Sequence, residues 1–487
     1  MKFGKTLIKD SIVYGSVKYL SILSALILTP IYTRIISKES YGLMELFNTW
    51  NNLVIAILPL GIVTTVIKFY PEYKSNKNAL QSIVGNMFSA LIILSLLYIV
   101  LSFLIKEHFI EHFIGVDSKI VNIVYWQSVL VVIFSIFSSF NLNILRAEFK
   151  KGKYVVVSVT NFLILSILGF VFVYFYNTDF EGFYRASVIA GFVATLIGLF
   201  FVRTNIKLTL NFKVLKKIFG FSIHFVSVFI LFQLNTLIDR YLINEFIDLK
   251  SVGVYSIANR MASMSSIVFN SFSIAWYPLA MSLKNNENLN VVFNSVHKVF
   301  ILISSLMISV VWLFRPEILL IFAPDYAEAI KLILILFAAN IISYSTFIYS
   351  LGLHFANKTK YLSYGAFYSV ISNIIISIST VKIIGVYGIA IGTLVSSIIW
   401  AGYLFRCSQK KFKISYENKY FVGFIVFLSA ILITDIFWKQ NLVFNINQLI
   451  IKSIFIILAS IICLKFVLKI LKNTPEINFS NDKKKID

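Results

Sequence analysis

Over 487 residues the chain is 58% hydrophobic and 16% aromatic, and only 14% of its positions are charged, far from the composition of a soluble globular domain. Apolar runs of about 20 residues recur along its length, each able to cross a hydrocarbon core about 30 Å thick as a helix, which marks an integral membrane protein. The runs are continuous instead of alternating, which excludes an outer-membrane barrel.

In chain order the spans are predicted at about 11–33, 41–67, 80–105, 120–142, 154–176, 183–202, 217–238, 251–280, 294–314, 329–350, 361–381, 386–405, 420–438 and 447–468. The first is longer than a signal-peptide core and lacks a small-residue cleavage pattern, so it is expected to be retained as helix 1. Cys407 and Cys463 are too few for a disulfide scaffold or a metal cluster. Fourteen crossings put both termini on one side.

The charge of +22 would suggest nucleic acid in a soluble protein, but here it reports topology. Alternate connections starting from the N-terminus collect 30 Lys and Arg, against 11 on the opposite side. Loops rich in Lys and Arg stay inside, so both termini are expected in the cytoplasm, with no nucleic-acid partner.

An internal repeat lies under the apolar background. Shifted by 211 residues, SIVYGSV at 11–17 aligns with SIHFVSV at 222–228 and SYG at 40–42 with SVG at 251–253, with 11 identities in 32 positions. Six crossings separate the partners, so helices 1 and 7 point the same way and the repeat is parallel, about an axis along the membrane normal. The expected fold is therefore an all-α integral membrane protein with about 14 transmembrane helices. Two six-helix lobes in parallel pseudo-twofold repeat span 1–212 (helices 1–6) and 213–405 (helices 7–12). Residues 406–487 hold the basic linker RCSQKKFKISYENK, helices 13 and 14 and a cytoplasmic tail.

Several stretches carry a family resemblance in consistent order: TRIISKESYGLMEL, PLGIVTTVIKFYPEYK, RAEFKKGKY, NTLIDRYLINEFIDLKSVGVYSIANR, FAPDYAEAI, NKTKYLS and GVYGIAIGTLVSS. Together they resemble the polysaccharide flippase family within the superfamily of multidrug, oligosaccharidyl-lipid and polysaccharide exporters. The resemblance implies two lobes in a V, with helices 1, 2, 7 and 8 around a cavity that opens alternately to each side of the cytoplasmic (inner) membrane. It implies export of an undecaprenyl-diphosphate-linked oligosaccharide from the inner to the outer leaflet for O-antigen, capsule or exopolysaccharide synthesis. The partners implied are that lipid-linked oligosaccharide, membrane lipids and a polysaccharide polymerase machinery. No catalytic residue or cofactor is implied.

Such a substrate has a dianionic diphosphate, a polar sugar headgroup and a long tail. Arg260 lies about 12 Å into helix 8, where a guanidinium can fork onto a diphosphate or pair with Glu45 or Asp239. Lys18 in helix 1 either collects phosphate or snorkels to the headgroups. Arg34 and Arg240 are expected at the outer ends of helices 1 and 7, as a cationic mouth or as interface anchors, with Asp239 beside Arg240 on the cavity rim. Gln233, Asn235 and Asn259 offer hydrogen bonds for sugars, and Trp50 and Tyr255 offer stacking surfaces. Glu45, His224 and Asp239 are the candidates for ion coupling.

Three alternatives stay open. A drug or cation antiporter of the same superfamily would use buried carboxylates, and Glu45 and Asp239 are read as the only acids near a span interior. A peptidoglycan-precursor flippase would handle a similar anion. A membrane polymerase or ligase needs a substantial outer loop, and the longest outer connection, Lys106–Lys119, is about 14 residues, with two His four apart in EHFIEHF.

Overall fold

The computed structural model describes residues 27–176, 178–437 and 445–474, and the elements among the described residues are helices joined by short connections. In lipid only closed hydrogen-bonding schemes survive, and the helices supply them. The described end of α1 covers 27–35. Then follow α2 (Lys38–Ile57), α3 (Ile62–Tyr73), α4 (Lys77–Phe109), α5 (Lys119–Ala147), α6 (Lys151–Phe170), α7 (Asp179–Val202), α8 (Phe212–Phe246) and α9 (Leu249–Ser263). The second part of the chain forms α10 (Ser265–Ser282), α11 (Leu289–Phe322), α12 (Ala329–Tyr349), α13 (Leu351–Phe355), α14 (Lys360–Ile384), α15 (Val386–Lys411), α16 (Asn418–Phe437) and α17 (Ile446–Lys472). Among the described residues, eleven helical segments are long and apolar enough to cross a membrane. They coincide with predicted spans 2–6 and 9–14, while α8 and the α9–α10 pair occupy the places of spans 7 and 8. Most of span 1 lies outside the described residues.

Local chemistry sets several ends. Asn76, Ser118 and Asn211 each turn a side-chain oxygen onto the first free N–H groups of α4, α5 and α8. Two predicted spans are broken. Span 2 is interrupted at Pro59–Gly61, where Leu60 (φ 46°) and Gly61 (φ 76°) are left-handed and separate α2 from α3. Span 8 breaks at Met264, where the Met264 N–H bonds back three residues to Met261 and the Ser265 hydroxyl donates to the Ala262 carbonyl. Span 7, expected to end near residue 238, runs on as helix to Phe246.

The described residues pack as two compact units. The first comprises those of Met1–Ile257, Ile321–Tyr326 and Asn373–Ile389. In it α7 packs on α5 and α6, and α2 packs on α8. The buried Asn141 of α5 donates to the Thr195 carbonyl at 3.2 Å and Thr195 donates back to the Phe134 carbonyl at 3.1 Å, which crosslinks α5 and α7. Its core includes Phe47, Phe140, Ile144 and Tyr184.

The second unit comprises the described residues of Ala258–Leu320, Ala327–Ser372 and Ala390–Asp487. Its most buried helix is α12, with Leu332, Ile333, Leu336, Phe337 and Ile341 inside. Two ion pairs tie the last helices to α11: Arg315 with Asp435 of α16, and Glu317 with Lys452 of α17 at 2.6 Å. These overturn the expectation that Glu45 and Asp239 are the only acids near a span interior. Glu317 and Asp435 are both buried, α11 extending beyond the predicted span and each acid meeting a cation remote in sequence. On α17 no residue is buried, as expected of a lipid-facing helix at the edge of a bundle.

Candidate functional site

Within the first unit, charged and polar side chains from α2, α8, α9 and α14 meet in two neighbouring sets of hydrogen bonds, built on the adjacent residues Arg240 and Asp239. Arg240 of α8 is only 5% exposed. Its Nε donates to Ser256 Oγ at 3.1 Å, Nη1 to the Thr236 carbonyl at 3.3 Å, and Nη2 to Glu45 Oε2 of α2 at 3.3 Å. Glu45 and Ser256 are themselves 211 residues apart. The guanidinium therefore binds equivalent positions of both repeats at once. Its neighbour Asp239, 4% exposed, accepts from Tyr255 Oη at 2.8 Å and from Asn373 Nδ2 of α14 at 2.7 Å. Asn373 also donates to Asn235 Oδ1 at 2.9 Å and accepts from Ser377 Oγ at 3.1 Å.

A guanidinium and two carboxylates out of water are stable only where hydrogen bonds satisfy them. This set is densely bonded, so it acts as a lock between helices. Its position differs from the helix-end rim expected for Asp239 and Arg240. The reason is the extra length of α8: Tyr241 to Phe246 add about 9 Å of helix beyond the pair. That extension is covered, with Tyr241 stacked on Phe113 at 5.6 Å and Asn244 donating to the Phe113 and Ile114 carbonyls.

The network thus brings together Glu45, Asn235, Asp239, Arg240 and Tyr255 from the sequence candidates, and leaves others outside it. Arg34 is exposed, with Nη1 on the Pro30 carbonyl at 2.7 Å and Nη2 on the Ile321 carbonyl at 2.8 Å. Trp50 packs on Phe109 and Phe113 at 4.9 and 5.6 Å. Gln233 and Asn259 are half-buried on α8 and α9. Arg260 is half-buried in the last turn of α9, beside the break at Met264, where a cation also complements the helix dipole. The Tyr255 ring is fully buried, with its hydroxyl engaged by Asp239. Lys18 lies outside the described residues and the His224 side chain outside the described side chains.

Sequence reasoning missed Asn373, Ser377 and Ser256. Asn373 had a weak signal, being the one Asn within SVISNIIISIS. Among the described residues no group of three His, Cys, Asp or Glu is placed to hold a metal ion. The rings of His108 and His112 lie 4.2 Å apart at the end of α4 and its following π-helical turn.

Helices of this length, count and order have solved counterparts. A lipid II flippase, MurJ, in an inward closed conformation superposes with a TM-score of 0.68 at 18% identity, over 95% of this chain and 100% of that one. An inward-facing multidrug resistance transporter of the MATE family, from the MOP superfamily, gives 0.69 at 13% identity, over 81% of this chain and 94% of its own. The fold is that of these multi-pass membrane transporters.

The chain belongs to the family described as polysaccharide biosynthesis protein, whose model matches residues 7–284. A probable low-salt glycan biosynthesis flippase, Agl15 of Haloferax volcanii, is 24% identical over 405 residues, covering 80% of this chain and 82% of that one.

Proposed function

We propose that this chain flips a polyprenyl-diphosphate-linked oligosaccharide, of the undecaprenyl type, from the inner to the outer leaflet of the cytoplasmic membrane, supplying O-antigen, capsule or exopolysaccharide assembly. The observation that carries the reading is the buried lock on α2, α8, α9 and α14 in a member of a polysaccharide biosynthesis family. Three of these helices correspond to helices 2, 7 and 8, which the family resemblance places around the transport cavity. In this reading the lobes 1–212 and 213–405 rock about the repeat axis, both termini are cytoplasmic, and the lock closes the outer end while the cavity faces inward. Arg260 receives the diphosphate, Lys18 collects it from the cytoplasmic side, and Gln233 and Asn259 hydrogen-bond the sugars. The likeness to glycan and lipid II flippases supports the substrate class, and a polymerase would take the product from the outer leaflet.

The test is reconstitution in liposomes with a fluorescent polyprenyl-diphosphate oligosaccharide, followed by quenching from outside. Wild-type protein should equilibrate the lipid between leaflets and Arg260→Ala should not, while remaining folded. Normal flipping by Arg260→Ala would remove the phosphate role. One observation favours a second reading, that of a cation-coupled antiporter: two carboxylates, Glu45 and Asp239, are buried within the first unit. Accumulation of a cationic drug in inverted vesicles, with no movement of the lipid-linked sugar, would decide for it.

A further inference from the structure

The connection from α7 to α8, within the first unit, reads RTNIKLTLNFKVLKK over 203–217. After a short turn at Arg203–Asn205 the chain leaves the helical form until α8 begins, and Ile206 and Asn211 are extended. Alternate side chains of such a segment face opposite ways. One side is fastened to α4. Thr209 Oγ1 donates to the Ser82 carbonyl at 3.2 Å and accepts from Asn86 Nδ2 at 3.0 Å, the Asn211 N–H donates to Asn86 Oδ1, and Gln81 Nε2 donates to the Thr204 carbonyl at 2.8 Å. The backbones come so near that a Cβ at Gly85 would fall on the Lys207 carbonyl.

This fastening fixes a depth. The 33 residues of α4 make about 50 Å of helix, which overhangs a core about 30 Å thick by about 10 Å at each end. Gly85 lies about 12 Å from the start of α4 at Lys77, so the connection crosses α4 at the edge of the hydrocarbon. Extended backbone survives at that depth only where protein groups satisfy it, and the α4 side chains do so. The other side of the segment turns Leu208, Leu210 and Phe212 outward, at 66%, 50% and 78% exposure. Beside them Lys207, Lys213 and Lys216 are exposed, and among the described residues none of the three meets a carboxylate. The sequence holds no Asp or Glu between Glu181 and Asp239. The preference for basic residues in inner loops accounts for the cations, but not for three large apolar side chains turned away from the protein beside them.

We infer that this connection is a membrane-surface strap for anionic glycerophospholipids, with Leu208, Leu210 and Phe212 among the upper acyl carbons and Lys207, Lys213 and Lys216 on the headgroup phosphates. Apolar and basic side chains presented together at the edge of the core are the chemistry of interfacial binding. Between Lys207 and Asn211 alone the extended chain runs about 13 Å, which separates the first cation from the other two by more than one diphosphate can bridge. The strap therefore suits several headgroups of a bilayer instead of a single polyprenyl diphosphate. Its binding does not depend on which substrate the protein moves.

Two measurements on the full chain, with Cys407 and Cys463 replaced by Ser, test this. Spin labels are placed singly at Lys207→Cys or Phe212→Cys in vesicles of palmitoyl-oleoyl phosphatidylcholine and phosphatidylglycerol. The label at 212 should collide with oxygen more than with a water-soluble nickel chelate, and the label at 207 the reverse. In native mass spectrometry the chain should retain phosphatidylglycerol over phosphatidylcholine. Each cation near an anionic surface is worth about fivefold, so Lys207→Gln, Lys213→Gln, Lys216→Gln together should weaken phosphatidylglycerol uptake by about tenfold or more and leave phosphatidylcholine uptake unchanged. Should that triple variant not fold, the label depths decide alone. A label at 212 as open to the nickel chelate as that at 207 would make the segment a solvated loop and overturn the assignment. Equal phosphatidylglycerol uptake in the triple variant would overturn it too, as would a preference for undecaprenyl phosphate over phosphatidylglycerol that the triple variant loses.

Discussion

Gly42 at the start of α2 and Gly253 at the start of α9, 211 residues apart, face each other across a backbone contact. A Cβ at Gly42 would fall on the Leu249 carbonyl, and one at Gly253 on the Lys38 carbonyl; Lys38 and Leu249 are separated by the same 211 residues. The contact is reciprocal, as a twofold axis between equivalent helices demands. The repeat seen in SYG and SVG is thus also a symmetric crossing, at which only glycine allows the backbones to meet. Gly42→Ala and Gly253→Ala should each be destabilising by about 1–3 kcal/mol, as overpacking against backbone cannot be relieved by a rotamer change. If α2 and α9 part during transport, either variant should also favour the parted state. Cysteine labelling at Ser40 or Ser251 checks this, and labelling rates equal to those of the parent would remove the idea that the crossing opens.

The pair between Arg240 and Glu45 should be costly to break and cheap to replace. Glu45→Ala leaves a buried guanidinium without its carboxylate and should be destabilising by about 3–5 kcal/mol. The double variant Glu45→Met, Arg240→Met removes both charges and should lose much less. Denaturant or thermal unfolding in detergent measures the cycle. Additive losses in the double variant would mean that the two side chains do not act as a pair.

Most of the helical layout was legible because the bilayer sets a length and a polarity that an apolar run either meets or fails. The parallel repeat was legible for the same reason that it matters: Gly42 and Gly253 have no substitute at the crossing. The lock was only half legible. Glu45, Asp239, Arg240 and Tyr255 stand out as polar residues in apolar helices, but Asn373 sits among serines in a weakly polar run, and nothing local tells that it meets Asp239. Arg240 was expected at a rim because α8 was given the length of a minimal span, whereas covering contacts from Phe113 carry it two turns further. Glu317 falls beyond the predicted span 294–314, and Asp435 lies inside the predicted span 420–438 near its end; what the sequence does not show is their partners, Lys452 and Arg315, 135 and 120 residues distant. Ion pairs have no periodicity for a sequence to show.

That distance makes the Arg315 to Asp435 pair a test of how α16 is held. Arg315 is fully buried and donates from Nη1 and Nη2 to both carboxylate oxygens, the first at 3.0 Å, a forked geometry that lysine cannot copy. Asp435→Ala should be destabilising by about 3–5 kcal/mol through the stranded cation. Arg315→Met with Asp435→Leu should recover most of the loss. Hydrogen exchange along α16 is the direct readout. An Asp435→Ala protein with unchanged protection there would show that packing alone seats the helix.

Glu417 gives a pH dependence with a definite sign. It lies between α15 and α16, outside the membrane spans, and its carboxyl is pulled down from 4.5 to about 2. The largest cause is the hydrogen bond from Lys298, joined by those from Lys419 and Asn294 and opposed by partial burial. Because the folded value lies below the unfolded one, the carboxylate favours the folded state fully above about pH 4.5, and the benefit fades as pH falls toward 2. The site is open to solvent, so the effect is small and screened by salt. Lys298→Met removes the largest cause and should raise the carboxyl toward its ordinary value. Between pH 6 and pH 3 the melting temperature of the wild type should therefore fall more steeply than that of Lys298→Met, and the two curves should converge near pH 2. Parallel curves across that window would mean that Lys298 does not hold the Glu417 charge.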